Sequence, residues 1–436
     1  MRKVLIITYY WPPSAGAGVF RWLKFSKYLR QFGWEPVIYT PSNPESPGTD
    51  QSLTADIPAG LEVISHPIWE PYAWYKRFTG RKPSDKVQTG FLSENHTRRW
   101  SEDISTWIRG NFFIPDARKY WIKPSIKYLS AWLKQNPVDA IVSTGPPHSM
   151  HLIGLGLKKK TRLPWLADFR DPWTQIDFYN KLMLTPWADR KHHRLEQSVL
   201  QTADQVVTVS MNWAKGLTDC YQRDVQVVSN GYDPDDFLAL PAFTYNEFSI
   251  THLGAMNADR NPGMLWPVLY DLVQTDDFFK KHLKIRLIGK TDLQARKSIN
   301  LHGLDQHTNV ISHLPHKEAL DMAAQSALLL LPLNKTPNVG GIAPGKLYEY
   351  MALGRPVLCI GPENGDAARI INSTGTGYVT GFDDSDTCRN LLLQWKQAFL
   401  EKTLIPAARD IRQFSRQQLT GQIAGIFDKM IQNGKK

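Results

Sequence analysis

Two α/β domains, each on a mostly parallel sheet, are predicted by three observations. The chain has 436 residues, enough for two to three domains at roughly 150 residues each. Short apolar runs alternate with stretches of helical period along its length, the pattern of βαβ units. The alternation then pauses at Asn230-Gly231-Tyr232-Asp233-Pro234-Asp235-Asp236, a turn-rich stretch after which a fresh strand begins.

In the first half, strands are predicted at 4–8, 34–40, 140–143, 165–168 and 205–210. In the second half they are predicted at 248–253, 284–288, 310–311, 327–331 and 356–360. The four leucines Leu328 to Leu331 before Pro332 fit an interior strand better than one helical turn, because the run is short. Ile411, Leu419, Ile423, Ile426, Phe427 and Ile431 fall at mainly helical spacing and predict a terminal amphipathic helix or helix pair.

Hydrophobic residues at 42% and charged residues at 21% supply packed cores and argue against wholesale disorder. Cys220, Cys359 and Cys388 are an odd set without CxxC spacing, so neither a disulfide framework nor a zinc site is expected, and a reducing compartment is. Val4 to Ile7 is too short for the apolar core of a leader and ends at Trp11-Pro12-Pro13, which reads as a buried first strand. Nowhere do about 18 apolar residues run together, so any membrane contact is expected to be peripheral.

Residues 1–200 carry 28 Lys+Arg against 17 Asp+Glu, and the remainder carries 24 of each. The excess of +11 therefore lies in the first half, which favours an acidic partner: anionic lipid, a phosphorylated substrate or nucleic acid. Trp100, Ile104, Trp107, Ile108, Phe112 and Phe113 fall largely on one helical face, with Arg98, Arg99, Arg109, Arg118, Lys119 and Lys123 around them. That composition suits an interfacial helix on an anionic membrane surface. An insertion at about 43–130 packed on its own domain is the commoner use of such a stripe.

The first strand leads into Ser14-Ala15-Gly16-Ala17-Gly18, and Val19, Phe20, Leu23, Phe25 and Leu29 mark a helix after it. Small residues there let a ligand reach backbone N–H groups at a helix start, and they equally suit a tight turn. The third glycine of a dinucleotide fingerprint and the P-loop lysine are both missing, so NAD and ATP sites are not indicated.

The run Ser14, Gly16, Gly18, Arg21, Leu23, Tyr28, Leu29, Gly33, Trp34, Glu35, Pro36 and Val37 resembles the opening of family 4 glycosyltransferases of the bacterial group 1 type. Leu195-Glu196, the stretch Ala203 to Ser210, Asn230-Gly231-Tyr232-Asp233, His252-Leu253-Gly254 and Arg260-Asn261-Pro262 are similar to further pieces of that family in order. The most specific is Gly345-Lys346-Leu347-Tyr348-Glu349-Tyr350-Met351-Ala352-Leu353-Gly354-Arg355-Pro356-Val357. The resemblance implies the GT-B architecture, two Rossmann-like domains with parallel sheets facing a central cleft. It also implies an N-terminal acceptor domain of about 1–236, a C-terminal nucleotide-sugar domain of about 240–410, and a last helix, 411–436, packing back on the first.

By the same resemblance the chain is a retaining hexosyltransferase with no cofactor beyond its co-substrate, a UDP- or GDP-linked sugar. The donor site is expected to draw on Gly16, Gly18, Arg260, Lys290, Lys346, Leu347 and Glu349. Arg260 corresponds to a cation on the diphosphate and Glu349 to an acid on the ribose hydroxyls, for which an acceptor-only carboxylate is suited. A second family cation is replaced by Ala255, with Lys290 and Lys346 as substitutes, and a first family glutamate is replaced by Gly341.

Catalytic candidates in the first domain are His148 and His151, after a predicted strand, and Asp168 and Asp171 in Ala167-Asp168-Phe169-Arg170-Asp171-Pro172-Trp173. The acids suit acceptor hydroxyls, and a structural ion pair with Arg170 is equally open. No Asp-x-Asp triplet ends a predicted strand, and a diphosphate leaves with little general-acid help, so metal-independent transfer is expected. The acceptor is expected to be a saccharide or lipid-linked saccharide in cell-surface glycan synthesis, on the cytoplasmic side, peripheral on the inner face of the membrane. Nucleic acid is not an expected partner, because no recognised module is present. The alternatives are a GT-B-type sugar-nucleotide epimerase and an inactive adaptor for membranes or polyanions.

Overall fold

The structure, a computed structural model, describes residues 1–46, 48–70, 100–312, 314–405 and 410–434. Arg98 and Arg99 of the basic aromatic stretch lie outside the described residues. The chain divides into two compact units, Met1–Ser229 with Arg416–Lys436, and Asn230–Ser415.

The first unit carries a seven-stranded sheet in the order β3-β2-β1-β4-β5-β6-β7. Its strands are β1 Arg2–Ile7, β2 Trp34–Pro41, β3 Glu62–His66, β4 Ala140–Gly145, β5 Trp165–Phe169, β6 Gln205–Thr208 and β7 Gln226–Val227. The second unit carries a six-stranded sheet in the order β10-β9-β8-β11-β12-β13. Its strands are β8 Phe248–Leu253, β9 Leu283–Ile288, β10 Thr308–Ile311, β11 Leu328–Pro332, β12 Val357–Ile360 and β13 Gly377–Thr380. Every pairing between these strands is parallel.

Parallel sheets bury both faces, so their central strands read as continuous apolar runs with alternate residues in opposite layers. In β1, Leu5 and Ile7 pack with Ile141, Trp165 and Ala167 on one side. Val4 and Ile6 pack on the other with Val142, Leu166, and Ile423 and Phe427 of the terminal helix Arg416–Gly434. Leu328 and Leu330 of β11 likewise enter one core and Leu329 and Leu331 the other, which makes the four-leucine run an interior strand. The strands the sequence does not disclose, β3, β7 and β13, are all at sheet edges. An edge strand is short and half-solvated; in β3 only Ile64 is buried.

Both sheets reverse direction of strand order at one place, between β1 and β4 in the first and between β8 and β11 in the second. Loops leaving the carboxyl ends of the strands diverge at such a point, and open α/β folds bind ligands there.

Candidate functional site

Each unit gathers chemistry-bearing residues at its switch point. In the first unit, Gly16 caps the helix Ala17–Leu29 with φ 109°, a left-handed conformation that favours glycine. At Gly18 a Cβ would lie 2.7 Å from the Tyr10 ring and 3.0 Å from an Arg170 nitrogen. Arg170 donates to Gly18 O at 2.8 Å, to Gly145 O at 3.3 Å and to Pro146 O. Its guanidinium thus ties the loops after β1, β4 and β5 together.

His148 and His151 follow β4. The His148 ring stacks on Trp173, centroids 4.8 Å apart, and His151 stacks on Phe169 at 4.3 Å. His151 Nδ1 meets Ser143 Oγ at 2.9 Å, and its Nε2 and the Nδ1 of His148 are buried with no hydrogen-bond partner among the described residues. A Cβ on Gly145 would lie 2.6 Å and 3.1 Å from those two nitrogens, so both rings are aimed at this glycine. Burial, added to the charge of His151 and Arg170, holds His148 well below the usual imidazole range. Burial takes His151 down to about 3, although Asp168 opposes the shift. Both rings are neutral at physiological pH, each with one nitrogen able to accept or donate according to tautomer.

Asp168 is fully buried at the end of β5 and takes both oxygens into the fold. Arg21 donates to it at 3.0 to 3.2 Å, Trp22 Nε1 at 2.7 Å and Thr144 Oγ1 at 2.9 Å. This is the structural ion pair that the sequence holds open, made with Arg21 rather than Arg170, and it withdraws Asp168 from any acceptor. Asp171, beside Arg170, is only part-buried; burial pushes its carboxyl up against the opposing charge of Arg170.

The supports of this cluster are not evident in the sequence. Glu196 is completely buried and receives Trp173 N, Thr174 N, Thr174 Oγ1 and Tyr221 OH. Trp173 Nε1 donates to His192 Nδ1 at 3.0 Å. These bonds fix the ring on which His148 stacks. An acid inside an apolar helix stripe, four residues from His192, is the signal that was available for Glu196.

In the second unit the loop after β8 begins at Gly254, φ 93°, which is exposed. Arg260 donates to Ala255 O at 2.8 Å and to Asn334 Oδ1 at 3.0 Å, joining the loops after β8 and β11. Lys346, in the first turn of the helix Gly345–Ala352, sends its Nζ to Leu253 O at 2.6 Å and to His252 Nε2 at 3.4 Å. That Nζ is 3.2 Å from where a Gly254 Cβ would stand. Burial, then the nearby Arg260 charge, pulls the Lys346 ammonium well below its usual range, with Glu349 acting the other way. Burial and the Lys346 charge likewise lower His252. Arg260, Lys346 and Glu349 therefore share one neighbourhood. Lys346 reaches the loop that holds Ala255 in place of a cation.

Lys290 is exposed on the adjoining loop after β9, where Met256 N bonds Lys290 O at 2.9 Å. Leu347 points into the core and its N–H bonds Pro344 O, so its side chain serves packing. Gly341 is buried in the short turn Val339–Gly341 and presents no carboxylate. Unforeseen in the sequence is His316, whose Nε2 lies 3.0 Å from Glu349 Oε1.

Residues 86–236 match the family model of Glycosyltransferase Family 4. No curated protein sequence matches the chain. Among solved structures, sucrose-phosphate synthase from Thermosynechococcus elongatus is 11% identical with TM-score 0.57, covering 100% of this chain and 98% of that one. WaaG, a glycosyltransferase involved in lipopolysaccharide biosynthesis, is 14% identical with TM-score 0.56, at 97% and 99% coverage. A UDP-N-acetylglucosamine 2-epimerase is 11% identical with TM-score 0.54, at 100% and 97% coverage. At these identities the likeness speaks for the fold. The chain thus has a GT-B fold over its whole length and, over residues 86–236, is similar to Glycosyltransferase Family 4.

Proposed function

We propose that the protein is a retaining glycosyltransferase that moves a hexose-type sugar from a UDP- or GDP-linked donor to a saccharide or lipid-linked saccharide of the cell surface. The observation that carries this reading is the gathering of Arg260, Lys346 and Glu349 at the switch point of the second sheet. Two cations suit a diphosphate in the ground state and the charge that grows on it as the glycosidic bond breaks. Glu349 suits the ribose diol. Lys346 supplies beside Gly254 the charge that Ala255 lacks, which supports an active enzyme over a disabled adaptor. Retention of configuration rests on the family. With both charges supplied by side chains, transfer is proposed to run without a divalent metal.

The N-terminal domain is proposed to hold the acceptor, with His148 and Asp171 at its hydroxyls and His151 behind them. The basic aromatic face of that domain is proposed to rest on anionic lipid at the cytoplasmic side of the membrane. The helix Trp100–Phe112 packs on its own domain through Asn111, which bonds Met183 O and Thr185 N. It leaves Trp107 and Phe112 exposed, and Trp69 and Tyr120 are exposed as well. Among the described residues no helix is long and apolar enough to cross a bilayer.

A thermal-shift panel of UDP, GDP, ADP and their sugars tests the donor reading, since a ligand that binds only the folded chain raises its melting temperature. No shift with any of them ends it. Incubation with the responding donor alone separates transfer from epimerisation, which releases an isomerised sugar nucleotide without an acceptor. Turnover that persists in EDTA supports the metal-free reading, and its loss overturns it.

A further inference from the structure

We propose that His316 is a positioning residue for nucleotide recognition: it holds one oxygen of the Glu349 carboxylate so that the other is presented to a ribose diol. The inference rests on the reading of Glu349 as the ribose-binding acid.

Glu349 stands three residues after Lys346 on the helix Gly345–Ala352, so the two side chains share a face. A glutamate on a helix surface turns through several rotamers, and immobilising such a side chain on binding costs affinity. Glu349 is already held. His316, the first residue of the helix His316–Ala324, reaches it from a separate element with Nε2 3.0 Å from Oε1. The two side chains are about equally shielded, 25% and 24% exposed. A carboxylate only accepts, so the imidazole hydrogen of this contact is on Nε2. The bond occupies Oε1, so Oε2 is the oxygen assigned to the diol, on the helix that also carries Lys346 to the Gly254 loop.

The test is calorimetric titration of the full chain with whichever of UDP, GDP or ADP binds it, and with the 2′,3′-dideoxy form of that nucleotide. Wild type is expected to prefer the ribose form, and Glu349→Ala to lose the preference. His316→Ala is expected to lose about tenfold in affinity for the ribose form, the worth of a hydrogen bond to a charged group, while binding the dideoxy form as wild type does. His316→Gln, whose amide nitrogen falls near the place of Nε2, is expected to restore most of the difference. Full ribose preference in His316→Ala, with loss in Glu349→Ala, overturns the role of His316 and leaves the ribose reading standing. Unchanged preference in Glu349→Ala overturns both. Equal weakening of the two nucleotides in His316→Ala marks a merely structural residue and also overturns the proposal.

Discussion

Arg21 and Asp168 form a buried ion pair within the N-terminal domain, both nitrogens of the pair lying 3.0 to 3.2 Å from the carboxylate. The remaining Arg21 bonds go to Val228 O at 2.9 Å and Ser229 O at 2.9 Å, the last two residues of the first long segment of that domain. One guanidinium therefore fastens the helix after β1 to the end of β5 and to the segment where the chain leaves the domain.

Removing one partner of a buried pair strands the other charge and costs about 3–5 kcal/mol. Asp168→Ala is expected to lower amide exchange protection in β1, β4 and β5 by roughly two to four powers of ten. Burial alone would raise the Asp168 carboxyl, but the charge and hydrogen bonds of Arg21, with Trp22, leave it below the usual carboxylate range. A folded pKa below the unfolded one means that the contribution is complete above the ordinary carboxylate range and is lost as pH falls through the folded value. Wild-type protection kept in Asp168→Ala refutes the assignment.

The two stacked histidines predict a different pH window. With folded values far below 6.5, His148 and His151 take up protons in the unfolded chain but not in the folded one as the pH falls from about 6.5. The unfolded state then binds more protons, so the N-terminal domain loses stability steadily between pH 6.5 and the folded values. Replacing both by Gln is expected to flatten that slope in exchange protection measured at pH 7, 6 and 5. An unaltered slope means that other groups carry the acid sensitivity.

The interior of both sheets was legible because buried parallel strands leave long apolar runs, as in Val4 to Ile7 and Leu328 to Leu331. Three of the four edge strands were not, since an edge is half-solvated and Glu62 to His66 buries one side chain in five; the fourth, β10, showed only through Val310 and Ile311. At the site, Arg260 stands in one recognisable motif and Lys346 and Glu349 in another, and the structure brings the two together. What the sequence left open was allegiance: nothing local distinguishes Asp168, saturated by Arg21 and Trp22, from Asp171 three residues further on. His316 was invisible because its meaning depends on a residue 33 positions later on another helix.

Lys346 predicts how nucleotide affinity depends on pH. Its ammonium is lowered by burial and by Arg260 in the protein without nucleotide, and an arriving diphosphate favours the protonated form. Binding therefore takes up a proton once the pH exceeds the lowered value, and affinity for the nucleoside diphosphate begins to fall at a pH below the ordinary lysine range. Lys346→Met is expected to bind more weakly at pH 7 and to lose this pH dependence. Calorimetry in two buffers of different ionisation heat reads the proton directly, and a wild type that takes up none at any pH below about 10, the ordinary lysine range, contradicts the prediction.

The membrane reading turns on the helix Lys119–Gln135, which holds Lys119, Lys123, Lys127 and Lys134 and no acid. Lys123, Lys127 and Lys134 are exposed, and Tyr120 and Tyr128 stand out of the same helix. Cations near an anionic surface contribute about 1 kcal/mol each and are screened by salt, whereas exposed aromatic rings insert and are not. Lys123→Glu/Lys127→Glu/Lys134→Glu is expected to abolish cosedimentation with vesicles containing phosphatidylglycerol at low salt. Trp107→Ser/Phe112→Ser is expected to weaken binding at low and high salt alike. These side chains are remote in sequence from Arg260, Lys346 and Glu349, so both variants should keep the wild-type nucleotide thermal shift. Vesicle binding that survives the triple charge reversal would show that this face does not meet the lipid.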